Sequence, residues 1–319
     1  MKRGAFLLLF LFFLSFLGGC TSETETPESS SSGLVGWPVI VNGTEISKPP
    51  TRIASLSPAL TEMLFDFGLG SKVVAVSNYC NYPEAAVDLP KIGTSWEVDI
   101  EAIKRVQPEY LLVQSTLPQE SVNELQAAGI SVILLPPGSG FDSVENLYQQ
   151  LFYLGYGTRE GQQKADVFLD EFDATLEAIK TSIPDKSYTA AYLISIPDSA
   201  ATTDTFENNI LVELKLKNVA SEGTLWNFPD ASLVAADPDI LLVSTDTDIE
   251  AFIANPAHKN MKAVKNHQIY PTDQIVFERQ TPRMTEELEI LAKAIYGNEY
   301  GVPPVETPES LPSVEESAA

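Results

Sequence analysis

The 319-residue chain has only two cysteines and two histidines, and its 20 lysines and arginines face 44 aspartates and glutamates. Each shortage excludes something. Two cysteines cannot build a disulfide framework, and Cys80 has no basic neighbour in sequence to favour its thiolate, so its expected part is packing. His258 and His267 lie apart, without clustered partners, and are read as surface residues rather than metal ligands. No metal is expected. A formal net charge of −24 argues against nucleic acid or an anionic membrane face as partner, and suits a basic docking surface. The chain also lacks a GxxxxGK[ST] phosphate loop, a GxSxG nucleophile elbow, and HExxH or CxxC spacing. Carboxylates are plentiful, yet composition singles out no general acid/base pair.

Long apolar runs are missing except for one, AFLLLFLFFLSFL, which follows Lys2 and Arg3 and leads into LGGC. It is too short for a comfortable bilayer span, and the order of charge, apolar core and small residues marks residues 1–19 as a signal peptide. The stretch resembles bacterial lipoprotein signals. That resemblance implies cleavage before Cys20, a diacylglyceryl group on its thiol, and a chain exported to the periplasm or the outer face of the cell membrane. TSETETPESSSSG (21–33) then reads as a flexible tether within a linker that runs to residue 47, and the acidic stretch 301–319 as a disordered tail.

With 44% hydrophobic residues, the intervening chain is long enough for two ordinary domains. Short β-branched runs alternate with amphipathic stretches, which is an α/β pattern. RIASLS, KVVAVS, YLLVQ and SVILLP read as strands. PALTEMLFDFGLG, IEAIKRV and ESVNELQAAG read as the helices between them, and together they make a first lobe over 48–140. From 141 to 183 only helical periodicity appears, broken at GYGT; the piece from 159 would extend about 37 Å. Strand and helix signals resume in YTAAYLISI, NNILVELKLKNVA, ILLVS and QIYPT, and PRMTEELEILAKAIYG ends a second lobe over 184–300.

The halves resemble each other. WEVDIEAIKRVQPEYLLVQST, from Trp96, aligns without a gap on WNFPDASLVAADPDILLVSTD, from Trp226. Each lobe thus carries a tryptophan in the loop ahead of a helix. Loops at strand ends of α/β sheets are where ligands bind, and here they hold Tyr79, Tyr82, Trp96 and Trp226. Each ring taken alone has a core or loop-anchoring role as its alternative; the pair of tryptophans favours ligand contact.

RIASLSPALTEMLFDFGLGSKVVAVSNYCNYPEA, GTSWEVDIEAIKRVQPEYLLV and FERQTPR together resemble the periplasmic solute-binding proteins of ABC importers for cobalamin, iron-siderophores and heme. NYCNYP and FERQTPR bring the likeness nearest to the cobalamin binders. The resemblance implies two α/β lobes joined by one rigid helix, a shallow ligand cleft between them, no catalysis and no cofactor beyond the carried ligand. It places Tyr79 and Trp96 on the first lobe's side of the cleft, Trp226 on the other, and Phe277, Glu278 and Arg279 on a ligand-contacting segment. Ile275 and Val276 replace an acid and an aromatic there, and Gln114 stands where an aromatic is expected. It further implies a monomer that docks on permease transmembrane subunits, which work with an ATPase, through one carboxylate on each lobe. Glu101 matches the first. Ala231 occupies the second position, so either Asp230, one residue earlier, is the substitute with a shorter reach, or that lobe docks differently. A ferric-siderophore or heme carrier is the alternative within the family, with Arg279 and Tyr79 keeping it open. An exported tetrapyrrole- or metal-handling enzyme on a similar scaffold is the alternative outside it, although that chemistry calls for cysteines or a histidine with an adjacent acid.

Overall fold

The computed structural model of the protein describes residues 35–301 apart from 196–197 and 246–247; the expected signal peptide, Cys20, the expected tether and the stretch beyond Gly301 lie outside these. The described chain opens with a hairpin where the sequence reading had placed linker. β1 (Val39–Val41) pairs antiparallel with β2 (Thr44–Ile46) across an Asn42–Gly43 turn whose φ angles are both positive. Val39, Val41 and Ile46 are buried in the main core, so the folded region starts ahead of residue 48. Asn-Gly between alternating apolar residues was the legible signal.

The first lobe is one parallel sheet. β3 (Ile53–Ser55) leads into α1 (Pro58–Asp66), which begins with Ser57 Oγ accepting the Leu60 N–H at 3.2 Å and Pro58 in its first turn. β4 (Val73–Val76) is followed by the short α2 (Glu84–Val87) and by α3 (Ile100–Val106), which Asp99 caps through the Ala102 N–H at 2.8 Å. β5 (Tyr110–Val113), α4 (Gln119–Ala127) and β6 (Ser131–Leu134) complete it, with strand order β4-β3-β5-β6.

α5 (Phe141–Ser182) joins the lobes. It breaks at Gly157 (φ 79°, ψ −177°), within the GYGT stretch, and the longer piece continues to Ser182. The second lobe then runs β7 (Tyr188–Ser195), β8 (Ser199–Ala200), α6 (Phe206–Glu213), β9 (Leu216–Asn218), α7 (Asp230–Ala236), β10 (Ile240–Ser244), α8 (Ile249–Ala254), α9 (Lys262–Lys265), β11 (Ile269–Thr272), α10 (Gln274–Arg279) and α11 (Met284–Tyr296). β7 pairs in parallel with β10 and β9, β10 with β11, and the short β8 runs antiparallel to the end of β7. Counting parallel strands alone, each lobe's first strand therefore lies between its second and third, the same winding twice.

The repeat seen in sequence is a structural repeat. α3 and α7 start and stop at matched positions, and both end on a left-handed residue, Gln107 and Asp237, at φ 46°. The acid two residues on performs the same task in each. Glu109 accepts the Thr51 N–H at 2.6 Å, and Asp239 accepts the Thr189 N–H at 3.0 Å, tying each repeat to the foot of its lobe's first strand.

Three apolar clusters hold these parts. One lies between the first sheet and α3 and α4, and another between the second sheet and α7, α8 and α9. The third and largest takes in the hairpin, α1, α5, α6 and α11, so both lobes share it.

Candidate ligand-binding cleft

The first sheet reverses its winding between β3 and β5, and parallel strands that diverge at such a point leave a crevice at their carboxyl ends. A cleft of about 670 Å³ lies there. Its first-lobe wall is built from the segments that follow the strands: Leu56–Ala59 after β3, Ser77 and Tyr79 after β4, Gln114 and Ser115 after β5, together with Thr94–Glu97 ahead of α3. The second lobe contributes Ile275, Glu278 and Arg279 from α10.

Two aromatic rings stand open to the cleft, Trp96 at 83% exposure and Tyr79 at 69%. Their loops are fixed even though the rings are not covered. The Asn78 N–H donates to the Gly93 carbonyl at 2.8 Å while Asn78 Oδ1 accepts the Gly93 N–H at 3.1 Å, which locks the Tyr79 loop to the Trp96 loop. Thr94 Oγ1 then accepts from the N–H groups of Trp96 and Glu97. Gly93 (φ 91°) is required here, because a Cβ would run into the Glu97 carbonyl and the Asp99 N–H. Cys80 is buried, donates to Thr61 Oγ1 at 3.2 Å, and burial pushes its thiol up, so it packs rather than reacts. Tyr82 lies under the Arg283 guanidinium at 4.2 Å and anchors the other end of the loop.

Arg279 reaches the cleft from α10, with hydrogen-bond partners already in the protein. Glu62 of α1, fully buried, accepts from Arg279 and also from Arg283 at 2.9 and 3.1 Å, while Arg279 Nη2 donates to Asn81 Oδ1 at 2.8 Å. Two cations of the second lobe thus close on one acid of the first. Sequence reasoning missed Glu62, Asn81 and Arg283 in this role; an acid within the otherwise apolar run PALTEMLF was the available signal. Among the lining residues Arg279 is the one cation, whereas Glu97 and Glu278 are acids. Behind Glu278, burial and then the Glu278 charge push the Glu207 carboxyl up to about 7.

The remaining candidates take other places. Phe277 is fully buried, edge-on to Tyr192 at 6.4 Å, and belongs to the shared core rather than the cleft wall. A six-residue helix shows one face to the cleft, and on α10 that face carries Ile275, Glu278 and Arg279, while Val276 and Phe277 point inward. Trp226 is half-buried against the same core and does not line the cleft. It and Leu225 adopt left-handed backbone (φ 65° and 49°), held by Thr202 Oγ1 and by Asp204, so the two equivalent tryptophans part company at the side chain.

Glu101 is exposed in the first turn of α3, with Lys104 Nζ 3.1 Å away. Asp230 opens α7, yet its carboxylate is engaged by His258 Nε2 at 2.8 and 3.0 Å. His258 is therefore not the surface residue expected; it is 1% exposed, stacks on Phe252 at 4.0 Å, and its Nδ1 lies 3.0 Å from the Phe252 carbonyl oxygen. His267 is exposed. No group of three or more His, Cys, Asp or Glu among the described residues is placed to hold a metal ion, and no described helix is long and apolar enough to cross a membrane.

Comparison with known proteins agrees with this architecture. The pattern that defines the periplasmic binding protein family matches residues 53–276, and the chain belongs to that family. Over 94% of its length it is 25% identical to an uncharacterized ABC transporter substrate-binding lipoprotein of Bacillus subtilis, covering 99% of that protein. A vitamin B12-binding protein of Vibrio campbellii is 27% identical over 61% of this chain and 71% of its own. Among solved structures, the periplasmic heme-binding protein of Vibrio cholerae superposes with a TM-score of 0.69 over 77% of this chain and 99% of its own, at 20% identity. That last likeness is one of fold.

Proposed function

We propose that the protein is the substrate-binding component of an ABC importer, that it captures a corrinoid of the cobalamin type, and that it hands this ligand to permease subunits driven by an ATPase. It performs no turnover of its own. The observation that carries the reading is the make-up of the cleft: exposed Trp96 and Tyr79 rings above a hydroxyl- and amide-bearing wall, with its lone cation already paired. A corrinoid is a large, partly apolar macrocycle edged with neutral carboxamides, which aromatic stacking and neutral hydrogen-bonding groups suit. Heme brings anionic propionates and an iron that seeks an axial ligand, and many ferric siderophores are anionic. Arg279 and the Tyr79 phenol are what favour that second reading, and Arg279 is engaged by Glu62 and Asn81. The vitamin B12-binding relative adds support.

On this reading Cys20 carries the lipid that holds the protein at the membrane, and the working unit is a monomer. Glu101, exposed on the first lobe, is the stronger docking carboxylate for basic permease residues. Asp230 meets the permease only from within its contact with His258. Titration calorimetry of the purified protein with cyanocobalamin, hemin and a ferric siderophore tests the proposal. One-to-one binding of cyanocobalamin is expected, weakened roughly tenfold or more by Trp96→Ala. Saturation by hemin or the siderophore alone would move the ligand to the second reading.

A further inference from the structure

A second cavity lies outside the ligand cleft and shares no lining residue with it. It is a groove of about 480 Å³ between the end of α1 and the longer piece of α5. That piece supplies Glu160, Gln163, Lys164, Val167, Phe168 and Glu171, whose spacing of i, i+3, i+4, i+7, i+8 and i+11 makes one stripe about 16 Å long at 1.5 Å per residue. Asp66 and Phe67 at the end of α1, and Phe152 from the shorter piece of α5, complete the lining.

The floor and the rim differ in chemistry. Phe67 stacks on Phe152 with ring centroids 4.4 Å apart, and Phe168 packs on both, at 5.0 and 5.7 Å. Beside them Val167 is 70% exposed, an apolar side chain left open in the middle of the stripe. The rim sets three acids, Asp66, Glu160 and Glu171, against one lysine, a net charge of −2 with the acids ionised. Lys164 lies 3.7 Å from Glu160 and 4.6 Å from the centre of the Tyr156 ring, whereas among the described residues Asp66 and Glu171 form no ion pair. Part of Asp66 reaches solvent, yet burial of the rest and then the Glu62 charge push its carboxyl up to about 6, against a weaker pull from Arg283. An acid held up in this way gains from a cation brought beside it. The stretches 21–33 and 302–319 of the chain carry acids but neither lysine nor arginine, so they do not suit this rim.

We propose that this groove is a second ligand site, taking a hydrophobic organic cation whose apolar body lies on Phe168 and Val167 and whose ammonium meets the acidic rim at Asp66. Aromatic faces attract cations as well as apolar groups, and the volume is that of a small-molecule pocket. The assignment is independent of what the cleft carries.

The test titrates the purified protein at about pH 8, above the value of about 6 for the Asp66 carboxyl, with three probes. They are benzyltrimethylammonium, tetramethylammonium, which has the charge without the apolar body, and benzenesulfonate, which has the opposite charge. Saturable one-to-one binding of benzyltrimethylammonium is expected, with tetramethylammonium about tenfold or more weaker and benzenesulfonate giving no heat. Asp66→Asn and Val167→Arg are each expected to weaken benzyltrimethylammonium about tenfold or more and, because both positions are exposed, to melt close to the wild type. Trp96→Ala, in the cleft, is expected to leave that binding unchanged. Affinity lost in Trp96→Ala but kept in Asp66→Asn and Val167→Arg would place the cation in the cleft and overturn the proposal. So would unchanged binding in either groove variant, equal binding of benzenesulfonate, or a wild type that shows no saturation.

Discussion

Glu62 shows how much one side chain decides here. It is an acid with no exposed surface, on a helix whose other faces pack the core, and it holds Arg279 and Arg283 across from the other lobe. Removing one member of a buried charge group leaves the others without compensation, which costs about 3–5 kcal/mol. Glu62→Ala is therefore expected to lower unfolding stability in urea by about that amount, and Glu62→Gln by less, because the amide oxygen still accepts one hydrogen bond. Equal stability of Glu62→Ala and the wild type would remove Glu62 from the account of what holds the lobes together. Other single residues were harder to read ahead of the structure. Trp96 and Trp226 occupy matched positions in the repeat, yet Trp96 is exposed and Trp226 half-buried, and Leu225 and Trp226 adopt a left-handed backbone that no spacing announces.

At the scale of elements, the interlobe helix turns on a single glycine. Gly157 adopts φ 79° and ψ −177°, a region open essentially to glycine alone, and a Cβ there would lie 2.8 Å from the Gly36 carbonyl oxygen and 3.0 Å from Trp37 Nε1. Gly157→Ala is expected to cost about 1–3 kcal/mol or more, seen as a lower thermal midpoint by circular dichroism. Gly129→Ala is the control, since Gly129 also has positive φ (81°) but nothing within 4 Å of its Cβ position, so the smaller loss belongs to it. A midpoint unchanged in Gly157→Ala would mean that the chain there relaxes without cost. GYGT marked this break in the sequence, and α3, β5 and β10 were likewise legible from apolar spacing and turn residues. The β1–β2 hairpin was missed although Asn42–Gly43 marks its turn, because its two strands have three residues each and show little periodicity beside a polar stretch.

For the whole molecule, the main apolar cluster decides how the lobes behave. It passes from the hairpin through α5 to α6 and α11, and it is reinforced by the paired hydrogen bonds between Gly138 and the Gln280 side chain, both 2.7 Å, and by the Tyr148 hydroxyl on the Gln280 carbonyl. Neither lobe keeps a complete core without the other. Scanning calorimetry is therefore expected to give one transition whose calorimetric and van't Hoff enthalpies agree, whereas two separated transitions would show the lobes folding independently. The same shared core limits hinge motion, since rotation of one lobe against the other would open buried apolar surface.

Chain order alone determined the α/β alternation, the internal repeat, the helix between the lobes and the loops that line the cleft, because these follow from periods of two and 3.6 and from turn residues a few positions apart. Strand-end loops and the repeat already pointed to Tyr79, Trp96 and Trp226, and the family resemblance added Phe277, Glu278 and Arg279; of these Tyr79, Trp96, Glu278 and Arg279 line the cleft and Phe277 and Trp226 do not. Only the tertiary structure decided which face of α10 meets the cleft, that Glu62 pairs with both Arg279 and Arg283, and that His258 engages Asp230. Those outcomes depend on atoms brought together from segments as many as 200 or more residues apart. Burial and charge pairing act through space, and local sequence patterns carry no record of which distant partner will be there.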